Sequence, residues 1–232
     1  MDLSGQTILV TGATSGIGEA FVRAASVGGA SMVCLTRPES EERCKVLHPS
    51  ARMVVADLQD PECVGEAIDR FTRTTKLDGI AQCAVRYGGT GRARFESFDL
   101  MCWRELTAVN FLSQVAIIRG ALPAMLEARR GTLLGVTSPA AFDAAAGRSP
   151  YGSTKSAAHA LYITLAEELR GSDVSAVQVR PMRHVHTAGI EKRRPPNFDY
   201  SEYMHADAVA AAMVPIFAQR GDALNGRVVD IN

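Results

Sequence analysis

Apolar residues along this chain fall into two textures. Short runs with almost no polar interruption, at 7–10, 32–35, 53–56, 79–81, 132–136, 174–179 and 228–231, alternate with longer stretches whose apolar positions recur every three or four residues, near 17–28, 62–74, 100–128, 151–170 and 206–218. A strand with one wet face alternates apolar and polar side chains, so the continuous runs predict parallel strands covered on both faces. The longer stretches predict the covering helices, and the one at 151–170 stops at Gly171, a residue suited to the position just past a helix end. Seven strands alternating with helices predict an α/β fold, a doubly wound seven-stranded parallel sheet forming one domain over 1–232. Residues 182–204, rich in Arg, Pro and Tyr, break the pattern after the sixth strand, where open sheets carry ligand-facing loops. They are a candidate lid.

Composition narrows the partners. With 232 residues, 47% hydrophobic and 22% charged, the chain can bury a sizeable core, and neither disorder nor a collagen-like repeat fits. Lys+Arg and Asp+Glu both total 25, so no global field recommends nucleic acid or an anionic membrane as a partner. Asp2 stands where an export signal needs a base, and the first apolar run stops at Val10. The apolar stretch 208–218 is about half the ~20 residues of a membrane span and contains Pro215. Cys34, Cys44, Cys63, Cys83 and Cys102 are odd in number, widely spaced and free of any C-x-x-C pair. Neither disulfides nor a structural zinc follow, and a reducing cytoplasm is the expected setting.

Chemistry enters directly after the first strand. Thr11-Gly12-Ala13-Thr14-Ser15-Gly16-Ile17-Gly18 opens a helix. Gly12 permits a tight turn, Gly16 admits a pyrophosphate close to the backbone, Gly18 lets the helix pack on the strand, and the helix N-terminus offers free N–H groups. A dinucleotide would sit here. At the end of the second strand, where an NAD(H) site carries an acid for the ribose 2′-hydroxyl, the chain has Thr36-Arg37. A guanidinium suits a 2′-phosphate, so NADP(H) is expected rather than NAD(H). Asp57, after the third strand, either accepts from the adenine amino group or caps a helix.

Tyr151 and Lys155 are four residues apart on a helix whose apolar face carries Ala158, Leu161, Leu165 and Leu169, so phenol and ammonium share a side. A phenol with a pKa of ~10 is a poor acid or base at neutral pH, and the neighbouring cation is expected to lower it. Ser138 directly follows the fifth strand, at the sheet edge where ligands bind, and could hydrogen-bond a carbonyl. Asn110 interrupts the apolar run of Leu106, Val109, Phe111 and Leu112.

Over essentially the whole chain these residues resemble the short-chain dehydrogenase/reductase family. Its glycine motif matches Thr11 to Gly18, and its Asn-Ser-Tyr-Lys set falls on Asn110, Ser138, Tyr151 and Lys155 in order and with the expected Ser-to-Tyr interval. The resemblance implies a Rossmann fold and a hydride passing to or from nicotinamide. It implies that Tyr151 donates or accepts the proton, that Lys155 lowers its pKa and holds the nicotinamide ribose, that Ser138 orients the carbonyl and that Asn110 anchors a relay water. The implied coenzyme residues are Gly12, Thr14, Ser15, Gly16, Ile17, Gly18, Arg37, Asp57, Leu58, Ala84, Tyr151, Lys155, Pro181 and Thr187. The chain departs from the family at three places. Asn-Asn-Ala-Gly after the fourth strand is Gln82-Cys83-Ala84-Val85; Pro-Gly after the sixth is Pro181-Met182, with the following Thr displaced by one residue to Thr187; and Asp-Gly-Gly near the end is replaced by Asp230-Ile231-Asn232.

The substrate expected is a small carbonyl compound or alcohol. Arg86, Arg92 and Arg94 after the fourth strand, with Arg183, His184, His186, Lys192, Arg193 and Arg194 in the candidate lid, suit either an anionic or carrier-linked substrate or merely solvated basic loops. His184 and His186 lack a third nearby ligand, so no metal is expected. Two rivals stay open: a non-redox lyase or cyclase on the same scaffold, and a protein that only senses the dinucleotide. The resemblance also implies a homodimer or homotetramer formed through the helices at 100–128 and 151–170.

Overall fold

The computed structural model describes residues 1–89, 92–143, 145–219 and 222–232. All seven expected strands pair in one parallel sheet: β1 (Thr7–Thr11), β2 (Ser31–Thr36), β3 (Arg52–Val55), β4 (Gly79–Gln82), β5 (Gly131–Val136), β6 (Val174–Pro181) and β9 (Val228–Ile231). Their spatial order is β3-β2-β1-β4-β5-β6-β9. The chain runs outward from β1 to β3, then returns to lay β4 on the other side of β1. A crevice opens at that reversal, at the strands' C-terminal ends.

The uninterrupted apolar runs now have their reason. In β1, Ile8 and Val10 enter one core while Leu9 enters the other; Met32 and Cys34 divide from Val33 and Leu35 in β2, and Leu134 from Leu133 in β5. Helices α1 (Gly16–Val27) and α8 (Ala206–Ala218) cover the first core. Helices α3 (Pro61–Thr72), α5 (Ser113–Glu127) and α6 (Ser149–Glu168) cover the second. Each fully buried aliphatic side chain contributes about 1.5–3 kcal/mol, so neither face tolerates a polar residue cheaply.

Helix α4 (Leu100–Thr107) continues into α5 through a π-helical turn at Ala108–Leu112. The combined stretch, Leu100–Glu127, is long and apolar enough to cross a membrane, with a mean hydropathy of 1.4. Here its Leu106, Ile117, Ile118, Ala121 and Met125 are buried in the protein's interior. Asp60 and Asp99 cap α3 and α4, accepting from the backbone N–H of Cys63 and Cys102 at 3.0 and 2.7 Å.

Helix α2 (Glu41–Leu47) escaped the apolar pattern: it buries Cys44 and leaves Val46 and Leu47 exposed, so it shows no amphipathic stripe. The 182–204 segment is partly ordered. It holds β7 (Val185–His186), the one-turn helix α7 (Ala188–Glu191), and a return that pairs β7 with β8 (Met204–His205).

Candidate active site

The phosphate loop is shaped by close approaches that only glycine permits. At Gly12 φ is +73° and a Cβ would lie 3.0 Å from the Ala84 backbone; at Gly16 φ is +60° and a Cβ would meet Thr187 Cγ2 at 2.7 Å. A Cβ on Gly18 would collide with the Gly12 carbonyl, so Gly18 serves helix packing, as its position suggests. Thr11 Oγ1 accepts from the backbone N–H groups of Cys83 and Ala84, each at 3.1 Å. The loop that lacks the family's asparagines is thereby clamped to β1. Thr187, despite its displacement in sequence, packs directly against the phosphate loop and caps α7 by accepting from Ile190 N–H at 3.3 Å.

Above this loop one crevice of about 1150 Å³ runs along the sheet edge, just beyond the usual range of ~300–1000 Å³ for ligand pockets. Every coenzyme residue named from the sequence except Gly18 lines it. Arg37 stands at its rim, 58% exposed, with Nε donating to Ser40 Oγ at 3.1 Å and a salt bridge to Glu39 at 3.8 Å. Asp57 is not a helix cap. It accepts from the backbone N–H of Gln59 at 3.0 Å in a local turn, leaving α3 to Asp60.

At the opposite end of the crevice stand Tyr151 and Lys155, 8% and 4% exposed, one turn apart on α6. The ammonium lies 5.9 Å from the centroid of the Tyr151 ring and donates to the Val136 carbonyl at 2.9 Å. An ammonium has three donors, so two remain for a ligand. Thr137 Oγ1 is buried with no hydrogen-bond partner among the described residues. Burial lowers Lys155 to about 8.

The expected lowering of Tyr151 by Lys155 is corrected here. Burial raises the phenol above its ordinary value, the neighbouring Tyr87 pushes it further up, and the groups that draw it back are Ser138, Arg148 and Arg193. Lys155, with its ammonium 5.9 Å from the ring centroid and one donor on the Val136 carbonyl, is not among the groups that act on the phenol, and burial destabilises it as a cation. Ser138 caps the short turn Pro139–Ala141, its Oγ accepting from Ala140 N–H at 3.3 Å.

Asn110 also differs from expectation. It lies fully buried in the π-helical turn, behind the crevice wall rather than on it. Its Nδ2 donates to the Arg86 carbonyl at 2.8 Å and to Thr154 Oγ1 at 3.1 Å, and its Oδ1 accepts from Arg86 N–H at 2.7 Å. Both N–H donors are used, so the side chain braces the segment after β4 against α6.

The basic loop residues separate into groups. Arg86 pairs with Glu105 at 2.6 Å, Arg94 with Glu96 at 2.5 Å, and His186 with Glu191 at 2.7 Å. Arg92, Arg183, His184, Arg193 and Arg194 line the crevice, as Arg86 does despite its ion pair. Two residues there were not singled out from the sequence. Tyr87 stacks on Tyr151 with ring centroids 5.2 Å apart and planes 20° from parallel, and Arg148 lies one turn before Tyr151 on the same crevice wall. The sequence signal for Tyr87, an aromatic beside Gly88-Gly89, is weak; that for Arg148, a cation three residues before Tyr151, could have been used.

Comparison with known proteins agrees with this geometry. The short chain dehydrogenase family profile matches residues 6–195. An uncharacterised oxidoreductase of Mycobacterium tuberculosis is 32% identical over 210 residues, covering 90% of this chain and 79% of that protein. A 3-oxoacyl-(acyl-carrier-protein) reductase of Aquifex aeolicus is 24% identical over 242 residues, covering 99% and 97%. Among solved structures, a putative NAD(P)-dependent gluconate 5-dehydrogenase from Beutenbergia cavernae, with bound NADP, superposes with a TM-score of 0.84 at 25% identity, covering 100% of this chain and 96% of that one. The glycine loop, the sheet reversal beside it and these likenesses converge: the chain belongs to the short-chain dehydrogenase family of oxidoreductases.

Proposed function

We propose that the protein is an NADP(H)-dependent carbonyl reductase or alcohol dehydrogenase acting on a small organic substrate, with Tyr151 as its general acid or base. The observation that carries this reading is the single continuous crevice with the glycine loop and Arg37 at one end and Tyr151 and Lys155 at the other. The residues fit a nicotinamide dinucleotide. The helix N-terminus at Gly16 faces the crevice, and the buried Lys155 ammonium keeps two unspent donors. Arg37 would bind the 2′-phosphate, which favours NADP(H) over NAD(H). Asp57 and Leu58 would border the adenine, and Thr187 and Pro181 the nicotinamide side.

When bound, the coenzyme supplies or accepts the hydride. Ser138 would hold the substrate oxygen, and Tyr151 would pass its phenolic proton to that oxygen during reduction or take it during oxidation. Burial on its own makes the phenol a weaker proton donor than a solvated one, and Arg148 and Arg193 offset part of that by stabilising the phenolate formed when the proton leaves. Lys155 would hold the ribose hydroxyls and so bring its charge next to the phenol.

Residues 182–204 act in this reading as the lid, since Arg183, Arg193 and Thr187 already line the crevice. Assembly into a homodimer or homotetramer would cover Leu100, Met101, Leu112, Leu126 and Ile163, large apolar residues left exposed on α4, the π-helical turn, α5 and α6. The five free thiols suit a reducing cytoplasm.

The test is Tyr151→Phe. NADPH binding, followed by calorimetric titration, should persist, while NADPH oxidation across a panel of ketones should fall by ~10²–10⁴-fold. Unaltered turnover would refute the role of Tyr151, and product formed without any change in coenzyme absorbance would favour the non-redox rival.

A further inference from the structure

The chain as a whole carries no net charge, yet its crevice is strongly cationic: seven arginines and Lys155 line it against three carboxylates, those of Asp57, Asp143 and Glu202. Arg37 and Arg86 have carboxylate partners. Among the described residues, Arg92, Arg148, Arg183, Arg193 and Arg194 have none within 4.0 Å. Arg37 and Asp57 lie at the adenosine end, on the far side of the glycine loop from Tyr151, so a dinucleotide's own phosphates do not account for the opposite pole.

Two of these guanidinium groups belong to the reacting end. The Arg193 guanidinium carbon lies over the Tyr87 ring, 4.1 Å from its centroid, and Tyr87 in turn stacks on Tyr151. A guanidinium over a ring has that side covered and keeps its five N–H donors for acceptors elsewhere. Among the described residues those of Arg193 and Arg148 meet no protein acceptor, whereas Arg194 donates to Tyr203 Oη at 2.8 Å. Arg148 and Arg193 both act on the Tyr151 phenol, and burial weakens Arg193 as a cation. A partly desolvated guanidinium with unused donors is matched by a ligand that brings its own negative oxygens.

We infer that the substrate carries an anionic group, a carboxylate or a phosphate, which Arg148 and Arg193 hold beside the Tyr87–Tyr151 stack while its carbonyl faces Tyr151 and Ser138. The inference rests on the dinucleotide-dependent reading above and deepens it. Charge at one end of the substrate would fix which end of the molecule meets the phenol, the use to which planar, two-pronged recognition is suited.

The experiment compares matched probes at low ionic strength with NADPH: levulinate and benzoylformate against their methyl esters, and dihydroxyacetone phosphate against dihydroxyacetone. The expected result is a kcat/KM for at least one charged probe about tenfold or more above its neutral partner, a ratio that shrinks with added salt. In R148Q and R193Q the ratio should fall toward one, and R193K, which keeps the charge but loses the fork, should fall between. The pair that shows the ratio tells carboxylate from phosphate. Neutral probes turned over as well as charged ones, a ratio indifferent to both substitutions, or no turnover of any pair despite NADPH binding in titration would each overturn the inference while leaving the coenzyme site standing. Failure of NADPH to bind would overturn the reading beneath it.

Discussion

The two ends of the crevice are built in different ways. The phosphate end is a backbone object: Gly12, Gly16 and Gly18 hold their places because a side chain there would strike Ala84, Thr187 or the loop itself. The reacting end is a side-chain object, assembled from Tyr87 after β4, Ser138 after β5, Arg148, Tyr151 and Lys155 at the start of α6, and Arg193 beyond β6. The first is specified by eight consecutive residues, three of them glycines at which a side chain would meet a close neighbour. The second is specified by distance in space, and its members set one another's charge. Binding of a dinucleotide and choice of substrate are therefore separable, and substitutions at one end should leave the other measurable.

The largest effect on binding is expected at Gly12→Val. A β-branched residue at φ +73° costs about 1–3 kcal/mol in backbone strain alone and would push on the Ala84 backbone, so NADPH affinity should drop by ~100-fold or more in calorimetric titration. If affinity survives, the loop is not the phosphate cradle and the contrast between the two ends fails. Next is Arg37→Glu, which replaces the cation at the rim with an anion. The ratio of NADPH to NADH affinity should fall by roughly 10–100-fold, with the charged-to-neutral substrate ratio unmoved. A loss of equal size for NADH would place Arg37 in the fold rather than at a 2′-phosphate.

A smaller effect reads the reacting end through stability. Lys155 sits at about 8 in the folded chain against its ordinary 10.5, so the folded state binds fewer protons than the unfolded one between those values. Stability from this group therefore rises with pH across that window and is lowest below it, by at most about 3 kcal/mol. In urea melts without coenzyme, wild type should gain on Lys155→Met between pH 8 and 10.5. Parallel curves would mean the ammonium is not desolvated.

What could be read from the sequence follows the same division. The parallel sheet was legible because residues such as Leu9 and Val10 in β1 enter opposite cores, which forces an unbroken apolar run. The glycine loop was legible because its constraint is local. Helix α2 was not, since only Cys44 is buried in it. Tyr87 was missed because an aromatic in a glycine-rich loop signals nothing until the fold lays it on Tyr151, and the lowering of Tyr151 was assigned to Lys155 because spacing shows a shared helix face but not how deeply the phenol is buried. Asn110 was read as a holder of water. Its partners, Arg86 and Thr154, lie 24 and 44 residues away and leave no trace in the local pattern.

The central claim is that hydride and proton meet the same substrate at Tyr151. The most direct measurement uses NADPH deuterated at the transferring position and mass analysis of the alcohol formed from each turned-over ketone. Wild type should give an alcohol one mass unit heavier, and Tyr151→Phe, with coenzyme bound as tightly, should give almost none. Unlabelled product from wild type, or labelled product at an undiminished rate from the variant, would contradict the account.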